Sequence, residues 1–190
     1  MLSELLASLR ITIASILICV VVYTTAVMGS AMLIAPESRL GSLITLDGRL
    51  VGSRHVAQAF SRPEYFWPRP SAVNYAADAT GGSNLSPSSP VIRVRAEALL
   101  RPLNATLDNP APAELVLASG SGIDPHITEA AALYQADRVA SARRASTEPI
   151  RDLISLRARP IGPGDQTRIV NVLLLNIELD QRFPTPNSRQ

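Results

Sequence analysis

The first hydrophobic pattern along the chain is an unbroken apolar run near the N-terminus. Residues 11–35 contain no charged side chain. As a helix, this run would extend roughly 37 Å, which exceeds the roughly 30 Å hydrocarbon core of a bilayer. Cleaved signal peptides have a shorter apolar stretch, of about 7–15 residues. We therefore predict a retained transmembrane helix over 11–35, preceded by a short tail at 1–10.

The remaining residues, 36–190, alternate short apolar and polar stretches and are predicted to form one domain. The segment GSLITLDGRLVGS at 41–53 places two apolar runs around Asp47-Gly48, a pair typical of a two-residue hairpin turn. The segment TEAAALYQADRVASARRAS at 128–146 predicts an amphipathic helix with Thr128 as its N-cap.

Weaker patterns complete the predicted elements of this domain. We expect helices over 91–103 and 148–159, a helical turn within 54–60, and a buried strand within 113–125. The apolar run at 168–180 fits a strand or a helix, since its periodicity does not separate the two, and we favour a strand. The predicted fold class is mixed α/β (α+β), anchored by one N-terminal transmembrane helix.

A proline-rich loop at 62–90 is the least ordinary part of the pattern. Three of the eight aromatic residues of the chain, Tyr65, Phe66 and Trp67, are consecutive there and are flanked by prolines. They could pack in the core, dock a partner or sit at a membrane interface. The Gly-Gly-Ser-Asn sequence at 81–84 could form a plain turn or a backbone nest for an anion.

Charge and cysteine content exclude several classes of protein. The formal net charge is +2, and all 18 basic residues are arginines without a clustered patch, so nucleic-acid binding is not expected. The single cysteine, Cys19, allows no intrachain disulfide. Without lysine, the chain has no phosphate-binding P-loop.

Candidate catalytic and metal-binding residues are sparse. Ser119, Ser121 and His126 lie close together in ASGSGIDPH, but neither serine has glycines two positions before and two positions after it, as the Gly-x-Ser-x-Gly elbow of a hydrolase requires. The only two histidines, His55 and His126, are not at ligand spacing. We predict neither a catalytic residue nor a metal site.

Several motifs, in order and in register, resemble the KdpC family, the C subunits of Kdp potassium-transporting P-type ATPases. A single N-terminal span is followed by the segments GSRHVAQAF, EYFWPRPSAVNY, ATGGSNLSPSSP, LVLASGSGIDPHITEAAALYQADRVASAR and VNVLLLNIELD. The similarity extends from about residue 10 to residue 180.

The resemblance implies a location and a set of partners. It implies a single-pass protein of the cell (inner) membrane whose domain is extracytoplasmic, although the arginines flanking the span weakly favour the opposite orientation. The implied partners are the lipid bilayer, a channel-like K⁺-translocating subunit, a P-type ATP-hydrolysing subunit and a small single-span subunit.

The resemblance also implies a role, that of a non-catalytic chaperone that raises the ATP affinity of the ATP-hydrolysing subunit. No cofactor is expected to bind tightly, and ATP is expected only through the partner subunit, although the family pattern gives a nucleotide role to Gln135, which follows Tyr134. The rival interpretations are a membrane-anchored envelope enzyme and an anion-binding module.

We further expect the proline-rich loop to dock on the channel-like subunit. Prolines reduce the conformational entropy lost on binding, and aromatic side chains supply contact area. The predicted docking residues are Tyr65, Phe66, Trp67, Arg69, Gly81, Gly82, Ser83 and Asn84.

Overall fold

The computed structural model describes residues 2–185 of the chain. It divides into two compact units, residues 1–43 and 44–190. Met1 and residues 186–190, which belong to the expected tail and the expected domain, lie outside the described residues.

The N-terminal unit is dominated by one helix that is long and apolar enough to cross a membrane. It consists of α1 (Leu2–Ile16), a π-helical turn (Leu17–Val22) and α2 (Tyr23–Ile34). The helix therefore begins at Leu2, and residues 2–10, expected as a tail, are helical. It ends before Pro36, since proline disfavours a helical conformation in the preceding residue. A 3₁₀ turn, Ser38–Leu40, follows.

A hairpin forms where the Asp-Gly turn predicts it. Strands β1 (Leu43–Leu46) and β2 (Arg49–Ser53) pair with each other. Asp47 and Gly48 both have positive φ, 49° and 76°, as a type I′ turn requires. The predicted hairpin is confirmed.

The second sheet has three antiparallel strands in the order β3-β5-β4. These are β3 (His126–Thr128), β4 (Arg159–Pro160) and β5 (Arg168–Asn171). Ile127 pairs with Val170, and both side chains are buried. With the helices described below, this sheet gives the mixed α/β fold that the sequence predicts.

The predicted central helix is α4 (Glu129–Arg143). The Thr128 hydroxyl accepts a hydrogen bond from the Ala131 N–H at 3.1 Å, so the predicted N-cap is confirmed. Its small buried residues face α5 (Thr147–Arg157), which packs along it. The buried core combines residues of these helices, the sheet and the loops, mainly Phe66, Leu115, Ile127, Ala132, Ala136, Val139, Ile150, Leu153, Ile154, Val170, Leu175 and Leu179.

One strand prediction is wrong, and another holds only for its first four residues. Within 113–125 the structure has only a 3₁₀ turn, Ala113–Leu115, because the following backbone bonds to neighbouring loops, as where the Ser119 N–H donates to the Pro70 carbonyl at 3.0 Å. In the run 168–180, β5 stops at Asn171 and α6 (Val172–Arg182) begins. The cause is the Asn171 side chain, which accepts from the Leu174 N–H and caps the helix.

Two further elements differ from the prediction in small ways. Helix α3 spans Pro90–Leu100, beginning with a proline in the first turn, where the missing N–H is tolerated. The expected helical turn within 54–60 is only a turn followed by an isolated bridge between Ser53 and Val56.

Candidate functional site

The aromatic part of the proline-rich loop enters the core of the domain. Phe66 is fully buried, and the next residue but one, Pro68, is also buried. Tyr65 and Trp67 are half-buried, and Trp67 packs against the edge of the core. Core packing, one of the roles open for this cluster, is therefore the role of Phe66.

Two side-chain amides hold the backbone of this segment. Asn176 of α6 accepts from the Phe66 N–H at 2.8 Å and donates to the Phe66 carbonyl at 3.0 Å. Gln135 of α4 accepts from the Trp67 N–H at 2.9 Å and donates to the Trp67 carbonyl at 3.1 Å. A primary amide presents N–H donors and a carbonyl acceptor side by side, so each side chain bonds both backbone groups of a residue that belongs to no strand.

Arg138 of α4 holds the same segment from its outer side. Its guanidinium carbon lies 3.7 Å from the centre of the Trp67 ring, and it donates to the Tyr65 carbonyl at 3.1 Å and the Pro63 carbonyl at 2.6 Å. It also donates to Gln135 Oε1 at 2.6 Å. Burial lowers the pKa of Arg138 to about 10.

Arg143, at the end of α4, ties the start of the segment to α6. Its buried guanidinium donates to the Glu64 carbonyl and to Asp180 Oδ1, both at 2.7 Å. The Tyr65 hydroxyl donates to the other oxygen of Asp180 at 3.0 Å. Burial, and next this hydrogen bond, raise the pKa of Tyr65. Four side chains thus form a polar clamp on residues 64–67, namely Gln135, Arg138, Arg143 and Asn176.

Arg69 connects the loop to the segment at 118–126. It lies 3.7 Å from the Asp124 carboxylate and donates to the Ala118 carbonyl at 3.5 Å. Asp124 is also 3.4 Å from Nδ1 of His126. The hydrogen bond from His126, with a smaller contribution from Arg69, holds the pKa of Asp124 below its usual value.

The Gly-Gly-Ser-Asn turn packs on the same segment. The Gly81 N–H donates to the Ser121 carbonyl at 2.8 Å, so one of the N–H groups of a backbone nest is already used. A Cβ placed on Gly82 would lie 3.0 Å from the Gly120 carbonyl oxygen, which explains the glycine there. Asn84 is exposed and has a positive φ of 50°. The turn is therefore held in place on the domain surface by its contacts with residues 120–121.

The structure also places the candidate serine and histidine residues. Ser119 is buried, whereas the exposed Ser121 accepts from the Ile123 N–H, as in a tight turn. His55 and His126 both line one cavity, although they are far apart in sequence. Over residues 2–185, no three potential metal ligands from His, Cys, Asp and Glu come together.

Sequence reasoning missed most of the clamp. Gln135, for which the resemblance implies a nucleotide role, is 1 % exposed, and both of its polar atoms are bonded inside the protein. No local sequence pattern indicates the loop contacts of Asn176, Arg138 and Arg143. A polar residue within an apolar helical face was the available signal for Asn176, because buried polar groups need a specific partner.

Comparisons with known proteins agree with the family that the sequence motifs resemble. The family model described as "KdpC: K+-transporting ATPase, c chain" matches residues 5–181. The Potassium-transporting ATPase KdpC subunit of Parvibaculum lavamentivorans is 48% identical over 93% of this chain and 95% of the relative. That of Janthinobacterium sp. is 44% identical over 87% and 92%. That of Myxococcus xanthus is 42% identical over 99% and 93%.

Proposed function

Because the chain belongs to the KdpC family of K⁺-transporting ATPase c chains, we propose that it is a non-catalytic accessory subunit of such a pump. Its N-terminal helix anchors it in the cell membrane by a single pass, and its domain lies on the extracytoplasmic side. It assembles with a channel-like K⁺-translocating subunit, a P-type ATP-hydrolysing subunit and a small single-span subunit.

The observation that supports docking through the aromatic loop is the polar clamp. Four side chains fix the backbone of residues 64–67, so the half-exposed Trp67 is held in one orientation before any partner arrives. Binding then orders little additional chain, and less conformational entropy is lost. Phe66, being buried, anchors the surface rather than contacting the partner.

The two parts of the proposed docking surface are joined through one segment. Arg69 donates to the Ala118 carbonyl, and Gly81 donates to the Ser121 carbonyl. The aromatic loop and the turn at 81–84 therefore both rest on residues 118–122. We define the docking surface as Tyr65, Trp67, Arg69 and residues 81–84.

The effect on ATP affinity is proposed to act at a distance. Both polar atoms of Gln135 are bonded to the protein, and the residue is 1 % exposed, which leaves it little to offer a nucleotide. The nucleotide role implied by the resemblance stays a prediction. We propose instead that this subunit stabilises the ATP-binding state of its partner, so that the effect is a coupling free energy between two sites.

Docking is tested by co-purification of the partner subunits with tagged variants in mild detergent. Truncating a central interface tryptophan costs about 2 kcal/mol or more, which is a roughly 30-fold loss of affinity. We expect Trp67→Ala to lower the yield of the channel-like subunit strongly. Leu107→Ala, at a fully exposed position outside the docking surface, is the matched control.

A second variant separates docking from folding, because Trp67 also packs against the core. Asn84→Gly removes an exposed side chain while keeping the positive φ, which glycine adopts freely. We expect it to reduce co-purification while thermal unfolding is unchanged. Undiminished recovery with both variants would contradict docking through this surface.

The ATP effect is measured as the KM for ATP of the pump purified with and without this subunit. We expect KM to rise when the subunit is absent and to return when it is added back. An unchanged KM would remove the chaperone role while leaving the docking proposal standing.

A further inference from the structure

A cavity of about 620 Å³ lies beside β5 and α6, and none of the docking-surface residues lines it. Its volume is within the range of small-molecule sites, about 300–1,000 Å³. Both histidines of the chain and three of its arginines line it. The lining residues are Arg54, His55, His126, Arg157, Arg159, Pro160, Ile169, Val170, Asn171, Leu174, Leu175, Ile177, Glu178 and Gln181.

Asn171 joins the separate parts of this cavity. Its side-chain Nδ2 donates to the Arg54 carbonyl at 2.8 Å, which attaches the segment at 54–55 to the end of β5. In the sheet, Asn171 is the direct partner of His126. Residues from four separate segments of the chain, 54–55, 126, 157–160 and 169–181, line this cavity.

The cavity has an excess of positive charge. Among the lining residues, three arginines, Arg54, Arg157 and Arg159, outnumber a single carboxylate, Glu178, by two. Glu178 is already bonded to Arg157 at 2.8 Å and to Arg182. Within residues 2–185, Arg54 and Arg159 form no ion pair.

Part of the cavity wall is aliphatic. Ile169, Leu174 and Ile177 supply apolar surface beside the arginines. Guanidinium groups bind carboxylates and phosphates through paired N–H donors, and aliphatic walls bind the apolar part of a ligand. We propose that this cavity binds an organic anion in which a phosphate or carboxylate group is attached to an aliphatic body. The inference is independent of the pump role.

The two histidines provide a direct test, since no other residue of that type is present in the chain. The full chain is prepared in neutral detergent with isotope-labelled histidine, and NMR spectra follow three probes. Monobutyl phosphate has both required parts, inorganic phosphate has only the anion, and n-butanol has only the apolar body. We expect saturable shifts of both histidine signals with monobutyl phosphate, and binding at least about tenfold weaker for each of the other two.

A charge variant identifies the cations involved. We expect the double substitution Arg54→Gln and Arg159→Gln to weaken monobutyl phosphate binding at least about tenfold. The matched control is Arg93→Gln with Arg95→Gln, which removes two exposed arginines of α3 outside the cavity. The control should bind as the unmodified chain does.

Three results would overturn the proposal. They are absence of saturable shifts, equal binding of monobutyl phosphate and either simpler probe, and equal loss of binding in the cavity variant and the α3 control. Co-purification of partner subunits with the cavity variant is measured separately, so failure of this inference is distinguishable from failure of the pump role.

Discussion

At the scale of single residues, the domain depends on polar side chains placed among apolar ones. Gln135 and Asn176 are 1 % and 2 % exposed, and each satisfies both backbone groups of one residue in the aromatic loop. A loop enclosed in a core leaves its N–H and carbonyl groups without water. The two amides therefore allow a proline-rich segment, which cannot form a regular ladder, to be buried.

Replacing Gln135 tests this structural role. We expect Gln135→Ala to lower the free energy of unfolding by about 1–3 kcal/mol, because the Trp67 N–H and carbonyl lose their partner. Denaturant unfolding in mild detergent without nucleotide measures it. The matched control is Gln181→Ala, which replaces an exposed glutamine on α6. It should change the free energy of unfolding by no more than about 0.5 kcal/mol. Unchanged stability of Gln135→Ala, together with loss of ATP binding, would favour the nucleotide role instead.

At the scale of elements, two loops approach each other closely at Gly122. A Cβ on Gly122 would lie 2.5 Å from Val73 Cγ2 and 2.7 Å from the Gly81 carbonyl oxygen. Gly122 also has a φ of +71°, which favours glycine. Two residues earlier, a Cβ on Gly120 would meet nothing within 4 Å. The chain thus offers a matched pair of glycines within one segment.

We expect Gly122→Ala to destabilise the domain by about 1–3 kcal/mol, the usual cost of a strained backbone residue. Gly81 takes part in this contact and also belongs to the docking surface. Co-purification of the channel-like subunit should therefore fall as well. Gly120→Ala should change both measurements little. Equal effects of the two substitutions would show that the loop contact does not support the docking surface.

A second element-scale contact joins α5 to α6. Arg157, at the end of α5, donates hydrogen bonds to Glu178 of α6 and thereby holds the pKa of that carboxyl below its usual value near 4.5. A carboxyl with a depressed pKa stabilises the folded state above its unfolded pKa, and this contribution is lost as the pH falls through the folded value. The contact therefore weakens in acid.

The expected result is a smaller loss of stability between about pH 6 and pH 3 in Glu178→Gln than in the unmodified chain. Chemical unfolding at a series of pH values measures the difference. Glu97→Gln, at an exposed position on α3, serves as the control and should follow the unmodified chain. If the free energy of unfolding falls equally with pH in all three proteins, the Arg157–Glu178 contact does not contribute to the pH dependence of stability.

At the scale of the whole molecule, the first question is the side of the membrane on which the domain lies. Cys19 is the only cysteine and lies within the apolar helix, so a Cys19→Ser background removes the native thiol. Ser141→Cys then introduces a thiol at an exposed position on α4, and Ser3→Cys introduces one before the apolar run.

In right-side-out membrane vesicles, we expect a membrane-impermeant maleimide to label Ser141→Cys without permeabilisation. Ser3→Cys should be labelled only after the vesicles are opened, since long domains cross a membrane largely regardless of flanking charge. The reverse pattern would place the domain in the cytoplasm. Labelling of both positions in sealed vesicles would mean that the helix does not span the bilayer.

The sequence by itself determined the features that depend on neighbouring residues. The apolar run of the N-terminal helix, the Asp47-Gly48 turn and the Thr128 cap are set by side chains within a few positions of the backbone they shape. The ordered motifs also sufficed to identify the family. In the apolar run 168–180, the favoured strand is confirmed only up to Asn171, because the side chain of Asn171 caps the helix that follows it.

Only the tertiary structure decided which distant residues meet. Asn176 and Phe66 are 110 positions apart, and Gln135 and Trp67 are 68 apart. No local sequence pattern marks either pair, since a side-chain amide can hydrogen-bond to the backbone of any residue that has the right geometry. The cavity lined by His55 and His126 likewise brings together residues that are far apart in the sequence. Such contacts follow from the packing of whole elements, which no short window of sequence contains.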